Sequence, residues 1–74
     1  MDIIQRIIDT RTDHDESQRE LAKAIGVHHI QWANYERRKN EIPTRYIIAF
    51  CEHYGVSADY ILGLPRGLSW PRER

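Results

Sequence analysis

Several things this sequence has little of narrow what it can be. It has a single cysteine, Cys51, so no disulfide can close within the chain and a reducing cytoplasm is the default compartment. The longest unbroken apolar run, Ile47 to Cys51, is far too short to span a bilayer. Met1 leads straight into Asp2 and an amphipathic pattern, so no signal peptide is expected. No stretch alternates polar and apolar residues as a half-buried strand would, and no repeat or low-complexity tract interrupts the chain. Neither sign of charge is in excess: 11 Lys and Arg balance 11 Asp and Glu.

Catalytic and metal-binding signatures are missing as well. There is no GxSxG and no glycine-rich phosphate loop, so neither nucleophilic catalysis nor nucleotide chemistry is indicated. No CxxC, HxxxH or HExxH spacing occurs, although four histidines are present. His28 and His29 are adjacent; on a helix they point about 100° apart and do not readily share an ion. Cys51 falls on an apolar helical stripe and reads as a small core residue. The expectation is a protein without enzymatic activity, metal or cofactor.

What is present is a set of short helices. Seventy-four residues with 41% hydrophobic and 30% charged content suit one globular domain with a small core. Ile3, Ile4, Ile7 and Ile8 form a helical stripe, followed by Arg11 and a polar connection over Thr12 to Glu16. Ser17 and Glu20 form a capping box that starts a second helix, with Leu21, Ala22 and Ile25 inward. Gly26 ends it, in a position that calls for positive φ. Val27 plugs the turn, His28 takes the N-cap position, and a third helix runs from about His29 to Arg37. Trp32 and Tyr35 face inward there, leaving His29, Ile30, Ala33, Asn34 and Arg37 outward.

Arg38 to Ile42 is a polar loop, and Pro43 and Thr44 open a fourth helix, with Thr44 able to cap it. Ile47, Phe50, Cys51 and Tyr54 form its inner stripe, and Gly55 stops it. Ser57 caps a short fifth helix that ends at Gly63. Residues 1–64 form the expected domain and 65–74 a short tail. The fold class is all-α.

The stretch Ser17 to Glu36 is the most telling part. Two short helices joined by a tight glycine turn, with an apolar skeleton of Leu21, Ala22, Ile25, Val27, Trp32 and Tyr35, are what a helix-turn-helix needs. Such a unit presents the polar face of its second helix to the DNA major groove. Asn34 suits the donor-acceptor pair of adenine N6 and N7, His29 can donate to guanine N7 or O6, and Ile30 can pack on a thymine methyl. Gln18, directly after the cap, lies where helix amides and dipole favour a phosphate. The neutral total is unevenly spread: Arg37, Arg38, Lys39 and Arg45 crowd residues 36–45, while residues 1–20 are acidic. A locally basic edge of that kind can contact phosphates.

Arg11, Ser17-Gln18, Leu21-Ala22, Ile25-Gly26-Val27, Tyr35-Glu36-Arg37, Ile42-Pro43 and Val56 to Gly63 occur in order and at matching spacing. By these residues, from about Ile3 to Gly63, the chain resembles the phage-repressor class of helix-turn-helix proteins, the Cro and lambda-repressor-like domains of the Xre family. The resemblance implies a five-helix bundle whose third helix lies in the major groove of an operator. It implies base contacts from His29, Ile30 and Asn34, and backbone contacts from Gln18, His28, Arg37, Arg38, Lys39 and Asn40. It also implies that Arg11 and Glu36 form a structural ion pair orienting the reading helix.

Two positions depart from that family's habit: Arg38 where glycine is common, and Glu16 where an apolar residue usually precedes the second helix. The expected role is a bacterial or phage transcriptional regulator, a repressor in the simplest case. Its partner would be double-stranded DNA, bound by two copies on a pseudo-palindrome with half-sites about 34 Å apart. Tyr60, Ile61, Leu64, Leu68 and Trp70 are the candidate dimer surface. The competing expectation is a protein-interaction module on the same fold, an antitoxin masking a toxin or an antirepressor, which neutrality and the apolar tail favour.

Overall fold

The computed structural model describes residues 2–65, and among them five helices and no strand. They are α1 (Ile3–Asp13), α2 (Gln18–Ile25), α3 (His29–Glu36), α4 (Thr44–Tyr54) and α5 (Ala58–Leu62). Four of the five starts carry a side-chain cap. The Asp2 carboxylate accepts from the Gln5 amide at the head of α1. Ser17 and Glu20 close a reciprocal capping box at α2, with bonds of 3.0 and 2.8 Å. His28 Nδ1 accepts from the Ile30 amide at 3.2 Å, and Ser57 Oγ from the Asp59 amide at 3.1 Å. The stops are as specific: Gly26 sits at φ 80°, beyond the reach of most L-residues.

Between these helices lies one core of Ile7, Leu21, Ala22, Val27, Trp32, Tyr35, Phe50, Cys51 and Ile61, all buried. Trp32 is its centre. Its ring stacks on Phe50 at 5.9 Å and meets the edge of Tyr35 at 5.7 Å, geometries that aromatic quadrupoles favour. Ala22 is fully buried, and its small side chain lets α3 settle closely on α2.

Three expectations are corrected. The polar stretch from Thr12 does not break the first helix, which continues through Asp13. Thr12 Oγ1 donates back to the carbonyls of Ile8 and Asp9 at 3.0 and 3.1 Å, a local bond that lets threonine stay helical. Thr44 does not cap α4: Pro43 holds the N-cap position, without a side-chain bond. Ile61 is fully buried in the core, so it leaves the candidate dimer surface. Tyr60 and Leu64 remain exposed, whereas Leu68 and Trp70 lie outside the described residues.

The two unusual positions find local roles. Glu16 has no apolar staple to offer, but its Oε1 accepts from His53 Nε2 at 2.9 Å and from the Tyr54 hydroxyl at 2.8 Å. That fastens the α1–α2 connection to the end of α4. Hydrogen bonds from His53 and Tyr54 hold the Glu16 carboxyl below its usual range, against some desolvation. Arg38 follows α3 at φ 63°, the left-handed region where glycine is normally found, and its guanidinium pairs with Asp2 at 2.7 Å.

Candidate nucleic-acid interface

The site is built around one buried carboxylate. Glu36, the last residue of α3, accepts from Arg11 Nε and Nη2 at 2.8 and 3.0 Å, from Gln18 Nε2 at 2.8 Å and from Trp32 Nε1 at 2.7 Å. Burial on its own would raise the Glu36 carboxyl, but the bonds from Arg11, Gln18 and Trp32 outweigh it and the net direction is down. The Arg11 guanidinium is pushed up in turn by its bond to Glu36. Arg11 also donates to the Glu16 carbonyl at 2.7 Å. One carboxylate therefore ties α1, the first turn of α2 and the end of α3 into a fixed arrangement.

Above this anchor, α2 and α3 form a groove lined by Arg11, Ser17, Gln18, Arg19, His29, Ile30, Ala33 and Arg37. No carboxylate is among those lining residues. Arg11 is neutralised by Glu36, but Arg19 and Arg37 have no carboxylate within ion-pair distance among the described residues. A chain of zero formal charge thus keeps a locally positive groove, the arrangement that draws polyanions. Ile30 is 57% exposed on its rim, a large apolar side chain of α3 facing solvent.

Asn34 is half-exposed on α3, and its Oδ1 accepts from Arg37 Nη2 at 2.7 Å. Its amide nitrogen and second oxygen lone pair stay available for a base edge. Its backbone carbonyl accepts from the amides of Lys39 and Asn40 at 2.9 and 3.4 Å, which bends the following loop back onto the helix end. His28 and His29 stack, ring centres 4.7 Å apart. Partial desolvation, then Arg19 and then His28, lower the His29 imidazole from its ordinary value and so disfavour its charged form.

Gln18, His29, Ile30 and Arg37 therefore meet in one groove, with Asn34 joined to it through Arg37. His28 lies at the groove's edge in a second depression with Arg19, Lys23 and Val27. Lys39, Asn40 and Arg38 line a separate hollow with Ile3, Ile4, Glu41 and Ile42. Gln18 and Arg38 both spend side-chain donors on this chain's own carboxylates, the buried Glu36 and the exposed Asp2. Arg19 is the groove residue that the sequence alone does not single out. On the chain it is an ordinary charged residue in a helix's first turn, and only folding carries it to His29, ten positions on, at 3.3 Å.

Among the described residues no three His, Cys, Asp or Glu side chains cluster to hold a metal. No helix among them is long and apolar enough to cross a membrane.

A family model described as helix-turn-helix matches residues 10–61. An uncharacterized HTH-type transcriptional regulator of Bacillus subtilis (strain 168), YobD, is 33% identical over 60 residues, covering 81% of this chain and 54% of that protein. The chain thus spans about half the length of this curated relative. No solved structure gives a significant match.

Proposed function

This chain belongs to the Xre-type helix-turn-helix family, and we propose that it binds double-stranded DNA sequence-specifically as a bacterial or phage transcriptional regulator. The observation that carries this reading is the positive α2–α3 groove, with Ile30 exposed beside His29 and Asn34 on one face of a rigidly anchored helix. In this reading α3 enters the major groove. Asn34 reads adenine, His29 reads a base acceptor and Ile30 packs on a thymine methyl. Gln18, His28, Arg37, Arg38, Lys39 and Asn40 hold the sugar-phosphate backbone, which fixes register without carrying sequence information.

Repression by occupying a promoter is the simplest mode of action, in a bacterial cytoplasm. Two copies on a pseudo-palindrome would meet through the exposed Tyr60, Leu62 and Leu64. That same apolar row favours a second reading, in which the fold binds a protein partner such as a toxin.

Selecting duplexes from a random pool tests the proposal. A preferred half-site should emerge, and Asn34→Ala and His29→Ala should each weaken it by about five- to tenfold or more, leaving random-sequence affinity nearly unchanged. A pool without enrichment, beside capture of a protein through Tyr60 and Leu64, would overturn DNA recognition in favour of the second reading.

A further inference from the structure

The first turn of α2 reaches α3 at two places. Gln18 goes to Glu36 at the far end of the reading helix, and Arg19 goes to His29 at the near end. The second contact defines a protonation pattern. A guanidinium can only donate, so with Arg19 Nη2 at 3.3 Å the His29 Nε2 is the acceptor and the ring proton sits on Nδ1. His28 is the reverse: its Nδ1 accepts from the Ile30 amide, which places its proton on Nε2. Two stacked neighbours therefore carry opposite tautomers.

Among the described residues, the groups lining the hollows around His29 are all cationic or neutral. Arg19 and Lys23 come from α2, His28 from the turn, Arg11 from α1 and Arg37 from the C-cap of α3. No acid among the groove-lining residues favours an imidazolium. The lowered His29 titration agrees with that surrounding.

We propose that Arg19 is a positioning residue that sets base preference: it holds His29 as the neutral Nδ1–H tautomer, so that His29 offers a donor to a guanine N7 or O6. The inference rests on the DNA-binding reading above and adds a determinant to it. A histidine without this brace exchanges tautomers, and its charged form loses the repulsion of the neighbouring guanidinium. With the brace, the same residue discriminates between base edges, because guanine presents two adjacent acceptors, adenine one beside a donor, thymine one beside a methyl and cytosine a donor.

The test has two arms on the full chain. Ring-nitrogen NMR of the free protein should show His29 in the Nδ1–H form, and Arg19→Ala should raise its titration midpoint and abolish that tautomer's dominance. Duplex selection should show a guanine at one half-site position, with Arg19→Ala losing about tenfold discrimination there and keeping the rest of the site. His29→Ala should lose the same preference, and the double variant no more than either. Arg19→Lys keeps both the charge and a donor-only group facing Nε2, so it should restore the Nδ1–H form and the guanine preference together.

Unchanged tautomer and titration in Arg19→Ala would overturn the proposal. So would a uniform loss of affinity with the base preference intact. A wild type that selects no duplex would overturn the DNA reading and this proposal together. One that selects a site whose guanine survives Arg19→Ala overturns this proposal alone.

Discussion

At the scale of single residues, Glu36 decides most. Its carboxylate is 4% exposed and its charge is answered by Arg11, while Gln18 and Trp32 satisfy the remaining oxygen lone pairs. Removing one member leaves a buried charge or buried donors without partners, a loss of about 3–5 kcal/mol. Arg11→Ala or Glu36→Gln should therefore lower the melting temperature by more than about 10 °C in a domain of this size, read by circular dichroism. The pH dependence has a definite sign. Because the folded carboxyl lies below its unfolded value of about 4.3, its contribution is complete above that pH. It fades as pH falls through the folded value. Acid titration of the wild type should show this loss below about pH 4, and Glu36→Gln should flatten it.

At the scale of elements, two backbone positions after helices make opposite predictions. Gly26 sits at φ 80° with open space where a Cβ would go, so Gly26→Ala costs only the left-handed conformation, about 1–2 kcal/mol. Arg38 already bears that cost at φ 63°, and its exposed pair with Asp2 recovers little. Arg38→Gly should therefore raise the midpoint of urea unfolding, whereas Gly26→Ala lowers it.

Elements are also where the sequence is most legible. Ser17 with Glu20, Gly26, Gly55, Ser57 and Gly63 act on their immediate neighbours, so they mark boundaries in any context. Thr12 misleads because its hydroxyl can either end a helix or bond back into it, and the tertiary setting of the chain beyond it decides between the two. Arg19 and Glu16 are hidden for another reason. Their partners, His29 for one and His53 and Tyr54 for the other, come from different helices. No linear spacing encodes those meetings. The reading face lies closer to hand, since Trp32 and Tyr35 fix the inner side of α3 and leave the outer one by subtraction.

At the scale of the whole molecule, a neutral chain can hold a polyanion only by partitioning its charge. Asp2 and Glu36 are spent on Arg38 and Arg11, and Glu16 is turned to hydrogen bonds with His53 and Tyr54, while Arg19 and Arg37 stand in a groove without acids among its lining residues. Each phosphate contact releases condensed counterions, so losing Arg37 or Lys39 should weaken all duplexes alike and flatten the salt slope by about one unit each. Fluorescence anisotropy at several salt concentrations measures that slope directly.

The central claim is that the outer face of α3, held by Glu36, is the surface that meets DNA. Amide NMR of the full chain titrated with its selected duplex tests this most directly. Shifts should concentrate on Gln18, Arg19, His29, Ile30, Asn34 and Arg37, with the core around Trp32 little changed. Shifts gathered instead around Tyr60, Leu62 and Leu64, with α3 silent, would contradict it.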